Sequence, residues 1–207
     1  MAQVTSGIRK ILDFPIVYDT LQLFFGTTSI RKWLADDYIL DKDGNNRILD
    51  VGCGTASILS YLNASGVDYV GFDPSERYIS MARRRHGKKG VFRCDYVSKE
   101  IIDDEEPFDT IIAMGVLHHL DDCEVRNLVE VLKKGLKPGG RFIALDGCYV
   151  EGQNKLAKYL IDKDRGQNVR TEAGYRDLFL GDFDKVSTEI KHKRWIPYTY
   201  CILVVQN

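Results

Sequence analysis

From Arg47 onward, short apolar runs alternate with longer amphipathic stretches. The apolar runs are rich in Val, Ile and Phe and are bounded by Gly, Pro and Asp, which is typical of buried strands. Strands that alternate with helices predict a parallel sheet covered by helices on both faces. Five strands are predicted in this part of the chain: Arg47–Val51, Asp68–Phe72, Gly90–Cys94, Phe108–Met114 and Arg141–Asp146.

The stretches between these runs carry helix signals. Ser57–Leu62 has helical spacing directly after a glycine turn. Pro74-Ser75 is typical of a helix start, and that helix is predicted to end near Gly87. Either Asp121 or the aspartate that follows it can cap a helix that runs to Leu132. The intervening segment before the fifth strand, Lys137-Pro138-Gly139-Gly140, is predicted to be a turn.

The last quarter of the chain has a different order. Lys155–Ile161 is predicted to be helical, and Thr171 can cap a further helix. The strands Val186–Ile190 and Tyr198–Val205 then follow one another with no helix between them. Because so short a connection cannot cross over a sheet, they must pair antiparallel.

The residues before Arg47 predict an aromatic, helical N-terminal cap on the sheet edge. One helix is expected from Asp13 to Gly26, and a second from Thr28 or Ser29 to Ile39. Two aromatic side chains of these helices are candidates for covering a ligand cleft and excluding water from it. They are Tyr18 and Trp33.

These elements together predict one α/β domain over residues 1–207, built as a Rossmann-like three-layer sandwich. Its mostly parallel, seven-stranded sheet ends in an antiparallel hairpin. Residues 1–46 are the helical cap, 47–146 the ligand-binding core, and 147–207 the C-terminal helices and hairpin. A chain of this length can bury a proper core as a single domain.

The composition of the chain limits which classes of partner and which cellular location we expect. The formal net charge is −1, which gives no electrostatic footprint for nucleic acid. No apolar run approaches the roughly 18 residues needed to span a bilayer, and no signal-peptide core is present. The five cysteines are widely spaced and lack a CxxC pair, so we expect reduced thiols, no zinc site and a cytoplasmic protein. The sequence gives no indication of oligomeric state.

The glycine turn Gly52-Cys53-Gly54 carries the first chemical signal. Glycines let the backbone turn tightly and approach a ligand closely. Asp73 lies twenty-one residues after Gly52, where Rossmann-type folds place the acid that binds a ribose. Asp50 precedes the turn, and its carboxylate would repel a dinucleotide pyrophosphate but favour the cationic ammonium and sulfonium of S-adenosylmethionine. This argument disfavours a dinucleotide oxidoreductase without excluding it.

The motifs from about residue 47 to 146 resemble those of the class I S-adenosylmethionine-dependent methyltransferases of the small standalone kind. The family's glycine turn usually has a third glycine, where this chain has Ala56, and we expect slightly different packing of the following helix. The motifs that carry the resemblance are Leu49-Asp50-Val51-Gly52-Cys53-Gly54-Thr55, Gly71-Phe72-Asp73-Pro74-Ser75, Cys94-Asp95, Met114-Gly115-Val116-Leu117-His118-His119-Leu120 and Leu136-Lys137-Pro138-Gly139-Gly140.

The resemblance implies roles for particular residues. The glycine turn, with Cys53 as a packing residue, would lie against the methionine part of the cofactor. Asp50 would lie near the cofactor's ammonium, and Asp73 would accept from both ribose hydroxyls. The remaining contacts implied are Pro74 and Tyr96 beside the adenine, Asp95 at its amino group, the Met114 carbonyl at the ammonium, and His119 close to the cofactor.

Methyl transfer to a hydroxyl is helped by a base, and three residues compete for that role. His118 and His119 follow the fourth strand at its C-terminal end, where open α/β sheets bind ligands, and Asp146 ends the fifth strand. Each can instead be structural. The motif types of nucleic-acid methyltransferases are missing, and no convergent carboxylates indicate a metal. We therefore expect a small-molecule acceptor, lined by candidates Tyr149, Tyr198 and Tyr200.

The sequence thus predicts an enzyme that methylates a small molecule, with a hydroxyl as one possible acceptor. A non-catalytic S-adenosylmethionine-binding partner or sensor is the alternative, because the acids that bind a cofactor do not prove turnover.

Overall fold

A computed structural model describes residues 27–40, 46–62, 66–163, 166–192 and 198–206. The predicted helix from Asp13 to Gly26, and Tyr18 with it, lies outside these residues. Within them, the strands are β1 (Asn46–Val51), β2 (Val67–Phe72), β3 (Val91–Arg93), β4 (Phe108–Met114), β5 (Leu136–Tyr149), β6 (Arg170–Thr171), β7 (Lys185–His192) and β8 (Thr199–Gln206).

The seven main strands form one sheet in the order β3-β2-β1-β4-β5-β8-β7, and the two-residue β6 pairs with the end of β5. Strands β1 to β5 run parallel, whereas β8 lies antiparallel to both β5 and β7. The predicted sheet and its terminal hairpin are therefore confirmed. The order reverses between β1 and β4, which is the position where open α/β sheets bind ligands beyond the strands' carboxyl ends.

Six α-helices lie in the described part of the chain, and none of them combines the length and apolar character that crossing a bilayer requires. Their starts follow the predicted caps: the Ser75 hydroxyl accepts from the Tyr78 amide, and Asp121 forms a capping box with Glu124. The helices are α1 (Thr27–Leu34), which continues as a π-helical turn (Ala35–Ile39), α2 (Glu76–His86), α3 (Lys99–Asp103), α4 (Asp122–Gly135), α5 (Lys155–Asp162) and α6 (Glu172–Asp177).

Neighbouring residues of the central strands point into two different apolar layers, as the period of a strand requires. Ile48, Ile112 and Ile143 face one layer, which they share with α1 and its π-helical turn. The residues next to them in sequence face the other layer, packed against α4 and α6. Both faces of the sheet are thus buried, which explains why its strands are nearly continuous apolar runs.

Two local predictions differ from the structure. Ser57–Leu62 was expected to be an α-helix, but the residues Ser57–Ser60 form a 3₁₀ helix that follows Ala56 in a left-handed conformation. The predicted turn Lys137–Gly140 lies inside β5. There the register against β4 shifts between the pairs Phe108–Leu136 and Thr110–Arg141, and Gly139 has a φ of 74°. The chain therefore bulges and continues as a strand instead of reversing.

Candidate functional site

The glycine turn after β1 has two different constraints. Gly52 has a φ of 70°, and a Cβ built on it would lie 2.7 Å from Cγ2 of Val116. Gly54 has a φ of 55°, and a Cβ there would meet nothing within 4 Å. Gly52 thus permits close packing against the loop after β4, whereas Gly54 presents its backbone to open space. Ala56 is the one non-glycine residue with positive φ in the described chain.

Asp50 is the penultimate residue of β1, two positions before Gly52. Its side chain is buried, and the Tyr69 hydroxyl donates to Oδ2 over 2.5 Å. Oδ1 accepts no hydrogen bond from the residues that the structure describes. Burial raises the pKa of Asp50 to about 7, the Tyr69 hydrogen bond and the charge of Arg31 act in the opposite direction, and Asp73 raises it further. Asp50 is therefore a buried carboxyl group with one oxygen available at the ligand end of the sheet.

Arg31, on α1, was not identified from the sequence. Its charge is close enough to Asp50 to lower the pKa of that carboxyl group. No motif marks Arg31, because it is one cation of an amphipathic helix whose distance to β1 depends on how that helix packs. A positive charge in the described part of the N-terminal cap therefore acts on the carboxyl group just before the glycine turn.

The Asp73 carboxylate forms hydrogen bonds with both the loop after β1 and the loop after β2. Its Oδ2 accepts from the Gly54 amide over 3.0 Å, and its Oδ1 accepts from the Ser75 amide over 2.8 Å. The carboxylate is consequently fixed in orientation before any ligand is present.

Cys53 lies between the two glycines and is buried. Burial raises the pKa of its thiol, and the nearby charges of Asp50 and Asp73 raise it further. A protonated, enclosed thiol is a small packing group and a poor nucleophile. This agrees with the packing role expected from the sequence.

Three residues expected at an adenine lie on the exposed rim beside β2 and β3. Oδ1 of Asp95 accepts from the Tyr96 amide over 2.7 Å, and 55% of Tyr96 is exposed. The carbonyl of Pro74 accepts from the Cys94 thiol over 3.6 Å. The rim therefore offers an aromatic ring and a carboxylate near the strand ends.

The loop after β4 and the strand β5 bring all three base candidates together. His118 and His119 lie in a 3₁₀ helix, Leu117–His119, and both are buried. Nδ1 of His118 is 2.6 Å from Oδ1 of Asp146, which also accepts from the His118 amide over 3.1 Å. Because an ionised carboxylate only accepts, Nδ1 carries the proton and donates it to Asp146. The His119 ring lies 4.1 Å from that of His118, centroid to centroid.

Met114 ends β4 just before this loop. It is partly buried and packs against the apolar layer that contains α1. The next residue, Gly115, has a φ of 71° and donates its amide to the Leu145 carbonyl over 2.8 Å. The end of β4 is thereby held against β5 before the chain turns into the histidine loop.

The tyrosines expected around an acceptor separate into two places. A Cβ built on Gly147 would lie 2.7 Å from the Tyr198 hydroxyl, and the rings of Tyr198 and Tyr200 are 4.7 Å apart. Tyr200 pairs with Gly147 of β5, the residue after Asp146. Tyr149 instead donates to Asp162 and lines a cavity of about 480 Å³ with Val150, Gly152, Gln153 and Lys158.

Trp33 was a candidate for covering the cleft. The structure places its ring 5.0 Å from that of Tyr38, with the Lys191 ammonium 4.4 Å from its centroid. The hydroxyl of Tyr38 donates to Glu189. Trp33 therefore lies where α1 and the π-helical turn meet β7, and its role at the cleft stays a prediction.

Residues 49–142 match the family model for a methyltransferase domain. The matched segment runs from β1 to β5 and includes the glycine turn, Asp73 and the histidine loop. This segment, 94 of the 207 residues, is similar to a methyltransferase domain. The similarity favours S-adenosylmethionine over the dinucleotide alternative.

Relatives and solved structures agree with the methyltransferase domain. A ubiquinone biosynthesis O-methyltransferase of Bradyrhizobium diazoefficiens is 34% identical over 115 residues, which cover 55% of this chain and 44% of that protein. The chain thus spans less than half the length of this curated relative. The structure of human N-acetylserotonin methyltransferase with bound S-adenosylmethionine has a TM-score of 0.66 at 18% identity. The match covers 93% of this chain and 55% of the human chain. The structure of the cyclase SpnF has a TM-score of 0.64 at 18% identity, and the match covers 86% of this chain and 80% of the cyclase chain.

Proposed function

We propose that this protein transfers a methyl group from S-adenosylmethionine to a hydroxyl of a small molecule. The observation that carries the proposal is the pairing of His118 with Asp146 at 2.6 Å, in a buried loop that packs against the glycine turn through Val116. A base oriented by a carboxylate, next to a cofactor turn, is the arrangement that a hydroxyl acceptor needs.

The residues present fit the cofactor in charge and shape. The available Oδ1 of Asp50 suits an ammonium, and Arg31 brings a positive charge suited to the methionine carboxylate. Gly54 presents open backbone to the same space, and the fixed Asp73 carboxylate suits a pair of ribose hydroxyls. The other residues proposed to bind the cofactor are Gly52, Cys53, Pro74, Asp95, Tyr96, Met114 and His119.

The chemistry of this chain is the handling of a proton. Bound S-adenosylmethionine supplies a methyl carbon already activated by a sulfonium. His118, whose Nδ1 proton is held by Asp146, has Nε2 as the atom that accepts the proton of the acceptor hydroxyl. Asp146 stabilises the imidazolium that forms. General-base assistance of this kind contributes about 10²–10⁴ in rate.

A hydroxyl acceptor is supported by the curated relatives, which are named as O-methyltransferases. Tyr198 and Tyr200 beside Gly147 are proposed to line the acceptor site, with Tyr149 at its outer end. All five cysteines are free, which supports the cytoplasmic location proposed from the sequence. A partner role for nucleic acid is not part of this proposal, since the net charge of −1 offers no basic footprint.

The second candidate is a protein that binds the cofactor without transferring its methyl group. The likeness to a cyclase supports this second candidate, because the same fold occurs in a protein that is not named as a methyltransferase. The two candidates share the cofactor residues and differ in whether His118 and Asp146 are needed.

Calorimetry with S-adenosylmethionine and S-adenosylhomocysteine tests the shared step, and no binding at millimolar ligand would reject both candidates. Turnover is then measured as S-adenosylhomocysteine release with a panel of phenols and alcohols. His118→Gln and Asp146→Asn should each lower turnover at least about 100-fold while cofactor affinity stays within threefold, by the size of general-base effects. Asp177→Asn, on the surface of α6, is the control. Equal turnover in all variants would favour the binding protein.

A further inference from the structure

Residues 166–171 lie over the histidine loop, although no sequence motif connects the two segments. A Cβ built on Gly166 would lie 1.8 Å from Cδ2 of His118, so the backbone of Gly166 packs directly on the imidazole. The Asn168 amide donates to the His118 carbonyl over 2.9 Å. This segment therefore encloses His118 on the side away from the sheet.

Arg170 makes most of the polar contacts between this segment and the loop. Its Nη1 donates to the carbonyls of Leu117 and Asn168, each over 3.0 Å. Its Nη2 donates to the Leu120 carbonyl over 2.9 Å and to the Asp122 carboxylate over 2.7 Å. The Arg170 side chain is 13% exposed. One guanidinium thus holds both ends of the 3₁₀ helix that carries His118 and His119.

The geometry suits arginine rather than another cation. The guanidinium is planar and presents five donors in a fixed fork, whereas a lysine ammonium is a compact point charge. Nη2 of Arg170 donates to the Leu120 carbonyl at the C-terminal end of the 3₁₀ helix, and Nη1 adds a second donor to the Leu117 carbonyl, which already accepts from the Leu120 amide.

Arg170 is also tied to the strand that carries the other half of the pair. It belongs to β6, where Arg170 pairs with Cys148 of β5, two residues beyond Asp146. Arg170 therefore connects the loop that carries His118 to β5, the strand that carries the Asp146 carboxylate. Tyr175, which follows on α6, strengthens this by donating to the Gly147 carbonyl over 2.9 Å.

We propose that Arg170 is a positioning residue that keeps the His118 imidazole on Asp146 by fixing the loop from Leu117 to Asp122. It does not touch the reacting atoms. The proposal rests on the proposed function, because only that function makes the pairing of His118 with Asp146 catalytic. The position of the His118 ring can nevertheless be measured without any acceptor.

The test is heteronuclear NMR of the histidine ring nitrogens in the full chain, with the His118 signals assigned by their loss in His118→Gln. The wild type should show His118 protonated at Nδ1, with slow exchange of that proton. Arg170→Met should accelerate this exchange at least about tenfold, the factor that corresponds to about 1.4 kcal/mol. It should also populate the other tautomer. Arg170→Lys keeps the charge and should give an intermediate exchange rate. Arg176→Met, a half-exposed arginine on α6, should leave the His118 signals unchanged.

The proposal is overturned if Arg170→Met, or Arg170→Lys should the first variant not fold, shows the wild-type His118 tautomer and exchange rate with only a lower melting temperature. That result would make Arg170 a purely stabilising residue. Failure of the proposed function looks different: His118→Gln would leave methyl transfer unchanged, whatever the NMR of the Arg170 variants shows.

Discussion

Gly52 and Gly54 share a motif but have different physical requirements. Both have positive φ, which costs a residue with a Cβ about 1–2 kcal/mol. At Gly52 the added Cβ would also strike Val116, whereas at Gly54 it would project into open space. Ala56 shows that the turn tolerates one alanine in the left-handed region. The pattern of glycines alone does not distinguish these reasons.

Gly54→Ala should lower the free energy of unfolding by about 1–2 kcal/mol through backbone strain alone. It should also weaken S-adenosylhomocysteine binding, since its Cβ enters the proposed cofactor space. Gly52→Ala should lose more stability, because the clash with Val116 adds to the strain. Thermal denaturation without ligand and calorimetry with ligand separate the two effects. Equal stability losses would contradict the packing argument.

Asp73→Ala should weaken cofactor binding by about 1.5–3 kcal/mol, the value of hydrogen bonds to a charged acceptor. The measurement is calorimetry with S-adenosylhomocysteine. Asp68→Ala, at the solvent-facing start of β2, should leave the affinity unchanged. Unaltered binding in Asp73→Ala would reject its assignment to the ribose.

At the level of elements, helix α4 begins where the histidine loop ends. The Asp121 carboxylate accepts from the Glu124 amide over 2.8 Å, and the Glu124 carboxylate accepts from the Asp121 amide. Two otherwise unpaired amides of the first turn are thereby satisfied. The sequence offered Asp121 or Asp122 as the cap, and the structure assigns the cap to Asp121 and pairs Asp122 with Arg170.

Asp121→Ala should lower stability by about 1 kcal/mol, the usual value of an N-cap. Glu130 lies on the same helix, α4, and Glu130→Gln removes its exposed ion pair with Lys99 of α3, which should change stability by less than about 0.5 kcal/mol. Chemical denaturation of both variants checks the contrast. A larger loss in Glu130→Gln would contradict the capping argument.

For the molecule as a whole, the buried Asp50 makes stability depend on pH. Its pKa is about 7 in the folded protein, against the ordinary aspartate value of 3.8, so the folded state binds a proton that the unfolded state releases between these pH values. The favourable contribution is complete below about pH 4 and is lost as pH rises through 7. Burial of the charge above pH 7 therefore costs on the order of 4 kcal/mol.

Asp50→Asn removes this cost and keeps an acceptor for Tyr69. The variant should melt above the wild type at pH 8, and the difference should shrink toward pH 4. Its cofactor affinity should fall, because an amide cannot pair with an ammonium as a carboxylate does. Thermal scans across this range, with Asp177→Asn as a surface control, measure the effect. If the melting temperatures of the wild type and Asp50→Asn changed with pH in parallel, Asp50 would not be the source of the pH dependence.

The sequence by itself determined the sheet, its terminal hairpin and the cofactor class. Apolar runs have to be buried, so their alternation with amphipathic segments was enough to predict β1 to β5, β7 and β8. The same local logic failed at Ser57–Ser60 and at Lys137–Gly140, where the left-handed Ala56 and the pairing of β4 with β5 override local preference.

Only the tertiary structure decided which distant residues meet. His118 and Asp146 were rival candidates in the sequence, and the structure joins them because their strands are neighbours in the sheet. Arg31 and Arg170 carry no motif, since each acts through contacts with residues far away in the chain. Local pattern fixes elements through burial and backbone preference, whereas a site assembled across elements exists only after they pack.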